Sequence, residues 1–293
     1  MNMSALTHGR AVFWMVVVTF LWSIAGVVTR HLDQARSFEV TFWRSFFMLA
    51  ALCLALPLLQ GRALLGNLRK GGRALWISGL CWSVMLTAFM VAILLIPVAS
   101  VLVTMALGPL FTALLARIFI GHHIAPRTWG AIVMAGAGIA WMYGSEVSAL
   151  SLVGVLVALC VPVAAAVNWV VVQSSQRHGQ AVDLVPAVLL GALISVLVTL
   201  PLAFPFEATA HDLWLLALLG VVQLAIPCVL VVYCARVLKA PEVALLGLLE
   251  VIFGILLAWA GAGERPAPAV LMGGALVIGA LVANELLGWK EQQ

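Results

Sequence analysis

Apolar positions in this chain neither alternate nor gather on one helical face. They run almost unbroken for 17 to 24 residues at a time, over 11–29, 38–59, 74–96, 98–119, 127–143, 151–173, 184–204, 212–235, 241–261 and 267–287. A helix rises 1.5 Å per residue, so about 20 apolar residues cross the ~30 Å hydrocarbon layer of a bilayer. Each run therefore predicts a membrane-spanning helix, and the fold class is an all-α integral membrane protein of ten spans. Ten helices of this length use ~200 residues, which leaves only short loops and tails. No soluble domain fits, so any chemistry must sit inside the helix bundle. The first run, with Arg10 ahead of it, has the outline of a signal peptide. It is also the first element of a repeated unit and is read as a retained helix.

The repeat emerges when the polar interruptions are aligned. Gly108–Ala131 reads GPLFTALLARIFIGHHIAPRTWGA, and Glu250–Gly274 reads EVIFGILLAWAGAGERPAPAVLMGG. Phe111 falls on Phe253, Ala116 on Ala258 and Gly121 on Gly263, about 142 residues apart. One inserted residue later, Gly130 falls on Gly273 and Gly136 on Gly279. Five spans per copy is an odd number, so the second copy must enter the bilayer from the opposite side. The predicted units are residues 1–146 and 147–293. Inverted pairs of this kind enclose a central site in many secondary transporters.

Composition narrows the class further. Of the 293 residues, 65% are hydrophobic and 9% are charged, too apolar a balance for a soluble domain of this size. The basic residues lie in short loops, a topological signal rather than a nucleic-acid surface. With the N-terminus cytoplasmic, eleven lysines and arginines fall inside (Arg10, Arg62, Arg69, Lys70, Arg73, Arg117, Arg127, Arg177, Arg236, Lys239, Lys290) and three outside (Arg30, Arg36, Arg265). Both termini are thus expected to be cytoplasmic, in a bacterial-type cytoplasmic (inner) membrane. Trp14, Trp76, Trp129, Trp141, Trp214 and Trp289 sit near span ends, where indoles anchor at the headgroups. The five cysteines lie within apolar runs without metal-ligand spacing, and are expected as small core fillers.

The run from Leu218 to Pro266 (LLGVVQLAIPCVLVVYCARVLKAPEVALLGLLEVIFGILLAWAGAGERP), with FWRSFF at Phe42–Phe47 and LGPLF at Leu107–Phe111, resembles the EamA-type transporters of the drug/metabolite transporter superfamily. The likeness extends over nearly the whole chain. It departs from the family pattern at Leu249-Glu250-Val251, which lacks the usual proline, and at Gly121-His122-His123, where a G-E-R turn is usual. The resemblance implies two inverted five-helix halves around a cavity lined by spans 1, 3, 4, 6, 8 and 9, with spans 5 and 10 peripheral. It also implies export of amino acids or similar metabolites. Small residues spaced by four, Gly136, Ala140 and Gly144 in span five and Ala275, Gly279 and Ala283 in span ten, predict close helix packing or a dimer contact.

Polar groups at mid-span are the candidates for binding. Glu250 lies mid-span nine, where an acid costs ~2.5–3.5 kcal/mol on insertion scales. It either faces a cavity, sensing a proton or an amino group, or bonds a neighbouring helix. Under the repeat, Cys81-Trp82 of span three corresponds to Gln223-Leu224 of span eight. Span six adds Asn168-Trp169 and span one adds Trp22. Aromatic walls with an amide suit a ligand that has an apolar body and a polar end. An unpartnered buried amide costs ~1–3 kcal/mol, so Asn168 and Gln223 need each other, water or substrate. Arg44 in span two has three possible fates: snorkelling to the interface, pairing with Glu39, or meeting an anionic group. Pro97, Gly108, Pro109, Pro162 and Pro227 each interrupt backbone hydrogen bonding and are candidate hinges, or else static kinks.

Enzymatic readings fail for want of motifs. There is no phosphate loop, H-E-x-x-H, G-x-S-x-G or intramembrane carboxylate pair, and no metal or cofactor site is expected. His122-His123 has no further ligands nearby. The leading expectation is an alternating-access carrier exporting small amphipathic metabolites, most simply amino acids with aromatic or hydrophobic side chains. Multidrug or lipophilic-cation efflux and a non-transporting assembly or sensor subunit are the alternatives. Expected partners are a small-molecule substrate and membrane lipid, not nucleic acid, for a monomer or homodimer.

Overall fold

The computed structural model describes residues 6–35, 37–61, 63–120, 126–144, 151–177, 183–238, 243, 246–263 and 265–291, and among these it contains helix and no strand. Five helices each occupy one predicted span without a break: α1 (His8–Thr29), α2 (Ser37–Gln60), α4 (Gly72–Leu95), α8 (Leu152–Arg177) and α9 (Val185–Ala203). The fourth span is divided into α5 (Val98–Met105) and α6 (Gly108–Ile120), and the fifth is α7 (Pro126–Gly144). The eighth comprises α10 (Ala210–Leu218), a π-helical segment (Leu219–Ala225) and α11 (Ile226–Cys234). The described parts of the last two are α12 (Leu249–Ala262) and α13 (Pro268–Glu291). Among the described residues, seven stretches are long and apolar enough to cross a membrane, and three shorter apolar helices accompany them. The chain is a multi-pass membrane protein.

One helix lies outside the predicted spans. α3 (Ala63–Lys70) occupies what the sequence presents as a basic loop, burying Leu64 and ending on Arg69 and Lys70. Cations in a last turn sit favourably against its free carbonyls. His122-His123, and most of the residues from 239 to 245 that open the ninth span, lie outside the described residues.

Helices of the first half pack on helices of the second. α1 lies against α11 and α12, α2 against α9 and the π segment, and α4 against α8 and α9. Buried hydroxyls tie several of these contacts, with Ser195 Oγ 2.9 Å from both Ser45 Oγ and Thr87 Oγ1. The bundle's interior forms two large apolar clusters stacked along the helices. α4 contributes Leu75, Trp82 and Leu86 to one, and Ala88, Phe89, Met90, Ala92 and Ile93 to the other. Outward faces remain apolar, with Leu58 and Trp214 among the most exposed side chains, as suits a surface solvated by lipid tails.

Several expectations need correcting. Cys81, Cys228 and Cys234 are buried, but Cys53 and Cys160 are exposed on the helix exteriors rather than filling the core. α7 and α13 do pack together, yet on a different face from the predicted stripe. A β-carbon on Gly138 would meet the Gly273 carbonyl oxygen at 2.8 Å, whereas Gly136 and Gly279 have nothing within 4 Å. Pro162 has no N–H to give to the ladder, yet α8 runs on through it from Leu152 to Arg177.

Two carboxylates gather backbone N–H groups at the end of the bundle where α2 begins. Asp212 completes a capping box with Thr209 and also accepts from the N–H groups of Asp33, Gln34 and Ala35 at 2.7–3.2 Å. Glu39 accepts from Trp43 Nε1 and from the N–H groups of Glu207 and Ala208. Each carboxylate satisfies donors that a short loop could not satisfy within itself. At the other end, Asp183 accepts from Gln60 and pairs with Arg236.

Candidate functional site

A cavity lies at the seam between the two apolar clusters. It is lined from one cluster by Trp82, Leu86, Leu224 and Cys228, and from the other by Phe89, Leu102, Val161 and Val251. Its volume is about 160 Å³, where a single water needs roughly 10–15 Å³ of such free space. That is room for a small organic molecule rather than one ion.

Broken helices supply the polar part of the wall. In the eighth span the N–H of Ile226 bonds the carbonyl of Val221, a five-residue step that marks the π segment, and Pro227 follows with no N–H of its own. The wider turn accommodates the missing donor, and π segments of this type recur at functional sites. Gln223 lies within it. Its Nε2 donates to the carbonyl of Trp22 at 3.1 Å, while its Oε1 has no partner among the described residues.

In the ninth span a turn at Leu248 precedes α12, with the N–H of Val251 bonded to the carbonyl of Leu248 at 3.1 Å. The break forms without the proline that the sequence lacks there. It places Glu250 in the first turn of a helix, where free N–H groups favour a negative charge. The fourth span breaks at Ala106–Leu107, so α6 starts with Gly108-Pro109 at the cavity wall. These two residues align with Glu250-Val251 in the repeat. Of the two aligned helix starts, one carries its own carboxylate and the other carries none.

Of the residues singled out from sequence, Trp22, Trp82, Trp169, Gln223, Glu250, Gly108 and Pro109 line this cavity. The Trp82 and Trp169 rings meet edge to face at 6.5 Å, forming one aromatic wall. Asn168 does not join them. It is fully buried in the contact between α4 and α8, where Ser78 Oγ donates to its Oδ1 at 2.6 Å. Pro97 lies in the turn between α4 and α5, capping α5, and Pro162 and Pro227 are buried in helices outside the lining. Cavity lining from spans 1, 3, 4, 6, 8 and 9 is joined by span two, through Arg44. The sequence offered Glu39 as an alternative for that arginine, and so did not single it out.

Among the described residues, Asp33, His211 and Asp212 bring possible metal-ligand atoms together. Both oxygens of Asp212 already accept backbone N–H groups, and His211 pairs with Asp33 at 3.2 Å. These are loop contacts with little left to offer a cation.

Comparison with known proteins agrees with this architecture. The model of the EamA-like transporter family matches the chain twice, over residues 9–144 and 152–284. None of the curated proteins matches it. Among solved structures, 22 chains match. One, described only as "Crystal structure of protein", is 19% identical and covers 98% of this chain and 100% of its own, with a TM-score of 0.64. At that identity the likeness is one of fold.

Proposed function

The chain belongs to the EamA-like transporter family, and from that premise we propose that it is a secondary-active or facilitative carrier exporting small amphipathic metabolites, most simply amino acids with aromatic or hydrophobic side chains. The supporting observation is the cavity: apolar and aromatic walls, an amide with a free oxygen, and one acid at a helix start. Such a lining accepts an apolar body and orients a polar end. We read the ten spans as inverted units 1–146 and 147–293, with both termini on the cytoplasmic side of a bacterial-type inner membrane. Alternating access is then a rocking of one unit against the other, with the breaks at Gly108-Pro109 and before Pro227 as joints.

Glu250 favours a second reading, efflux of lipophilic cations, because a buried acid attracts them. Purified protein in liposomes loaded with labelled phenylalanine, leucine or a lipophilic cation separates the two. Amino-acid flux above that of empty liposomes is expected. Cation flux alone would favour the second reading, and no flux of either class, with or without a pH gradient, would count against both. Glu250→Gln is expected to remove any response of flux to pH. An unchanged pH response would make the acid structural.

A further inference from the structure

Arg44 is the one cavity charge that the site described above leaves unused. α2 carries it to the cavity wall with only 2% of its surface exposed, so it does not snorkel to an interface. It does not pair with Glu39 either, whose oxygens take Trp43 Nε1 and the N–H groups of Glu207 and Ala208. Glu250 lines the same cavity, yet no ion pair joins the two. Ion pairs are found instead towards the ends of the bundle, at His211 with Asp33 and Arg236 with Asp183. Among the described residues, Nε and Nη1 of Arg44 have no hydrogen-bond partner. The guanidinium is nevertheless held in place. Its central carbon stands 5.6 Å from the centroid of the Phe89 ring, a cation–π contact that uses none of its N–H donors. Behind it, Gly220 lets the backbone of α2 lie directly on the π segment that carries Gln223.

We propose that Arg44 is the anion receptor of this cavity, holding the carboxylate of a solute whose apolar part lies against Trp82 and Trp169 and whose ammonium faces Glu250. The inference rests on reading the cavity as the solute's path, and it specifies the solute class as zwitterionic rather than cationic. A buried guanidinium with unmade hydrogen bonds is costly, and a carboxylate satisfies it through charge-assisted, often paired, N–H contacts. Arg44 and Glu250 on one cavity offer a plus and a minus. A free amino acid carries the complementary pair, whereas a lipophilic cation would leave Arg44 unanswered.

Binding to the full chain in detergent or nanodiscs tests this, with L-phenylalanine and L-leucine as probes, each beside its amide and its decarboxylated amine. Wild type is expected to bind each amino acid about tenfold or more tightly than the corresponding amide or amine. Arg44→Gln should bring the three within about threefold, chiefly by weakening amino-acid binding, and Arg44→Lys should fall between. Phe89→Leu, which removes the ring beneath the guanidinium and keeps an apolar side chain in the cavity wall, should weaken amino-acid binding more than amide binding. Equal affinities in wild type, or a preference that survives both Arg44→Gln and Phe89→Leu, overturns the role of Arg44 and leaves the carrier reading standing. Failure of all six probes to bind wild type overturns both.

Discussion

A β-carbon at Gly220 would stand 2.6 Å from the carbonyl oxygen of Arg44 and 2.8 Å from the amide nitrogen of Met48. Both are backbone atoms of α2 and cannot swing aside. Gly220→Ala should therefore cost about 1–3 kcal/mol, as overpacking does, seen as a lower thermal unfolding midpoint in detergent. Gly66→Ala, inside α3 with nothing within 4 Å, should not lower the midpoint, since alanine is the better helix former. An equal effect of both would contradict the close contact of α2 with the π segment. At this scale much of the cavity lining was legible. Trp22, Trp82, Trp169, Gln223 and Glu250 stood out as polar or aromatic groups at mid-depth, and depth can be counted along a span. The fate of Asn168 was not legible, because its partner Ser78 lies on another helix and only packing brings them together. Arg44 was obscured in the opposite way. A plausible partner, Glu39, lay nearby in sequence, but its oxygens are taken by loop N–H groups some 170 residues away.

Helix existence followed directly from the apolar runs, whereas helix rotation did not. AGAG at residues 135–138 of α7 offers small residues on two faces, at Gly136 and at Gly138, and spacing alone cannot choose between them. The packed face carries Gly138, against Gly273 and Leu276. Gly138→Val should weaken the contact between α7 and α13 and lower thermal stability, while Gly136→Val should not. The reverse order would mean that the helix is rotated from the orientation described. Breaks inside spans were partly legible through Pro109 and Pro227. The turn at Leu248 was not, since no proline or glycine marks that residue itself. Loop capping belongs to this scale too. Asp212 accepts four backbone N–H groups across two loops, and hydrogen bonds to charged groups contribute ~1.5–3 kcal/mol each. Asp212→Asn should cost at least about that much in stability and speed proteolysis of the loop around Gln34. An unaltered cleavage rate would contradict the staple.

For the molecule as a whole, the distribution of Lys and Arg predicts that both termini and the α3 segment face the cytoplasm. Single cysteines placed at Thr7, Asn67 or Gln292, in a background without native cysteines, should react with an impermeant reagent only after the cells are opened. One at Gln34 should react in intact cells. Termini on opposite faces would break the inverted-pair reading. The repeat was legible because the aligned glycines keep their register, and the family model matches the chain twice. The cavity was not legible as a space, because its existence depends on how two apolar clusters meet.

The most direct measurement is the position of a heavy-atom solute, 4-bromo-L-phenylalanine, in an experimental density map of the full chain. Bromine density between the Trp82–Trp169 wall and the space bounded by Arg44 and Glu250 is expected. A cavity that stays empty, or bromine bound only elsewhere, while the same protein moves this compound across liposome membranes, would show that the solute takes another path.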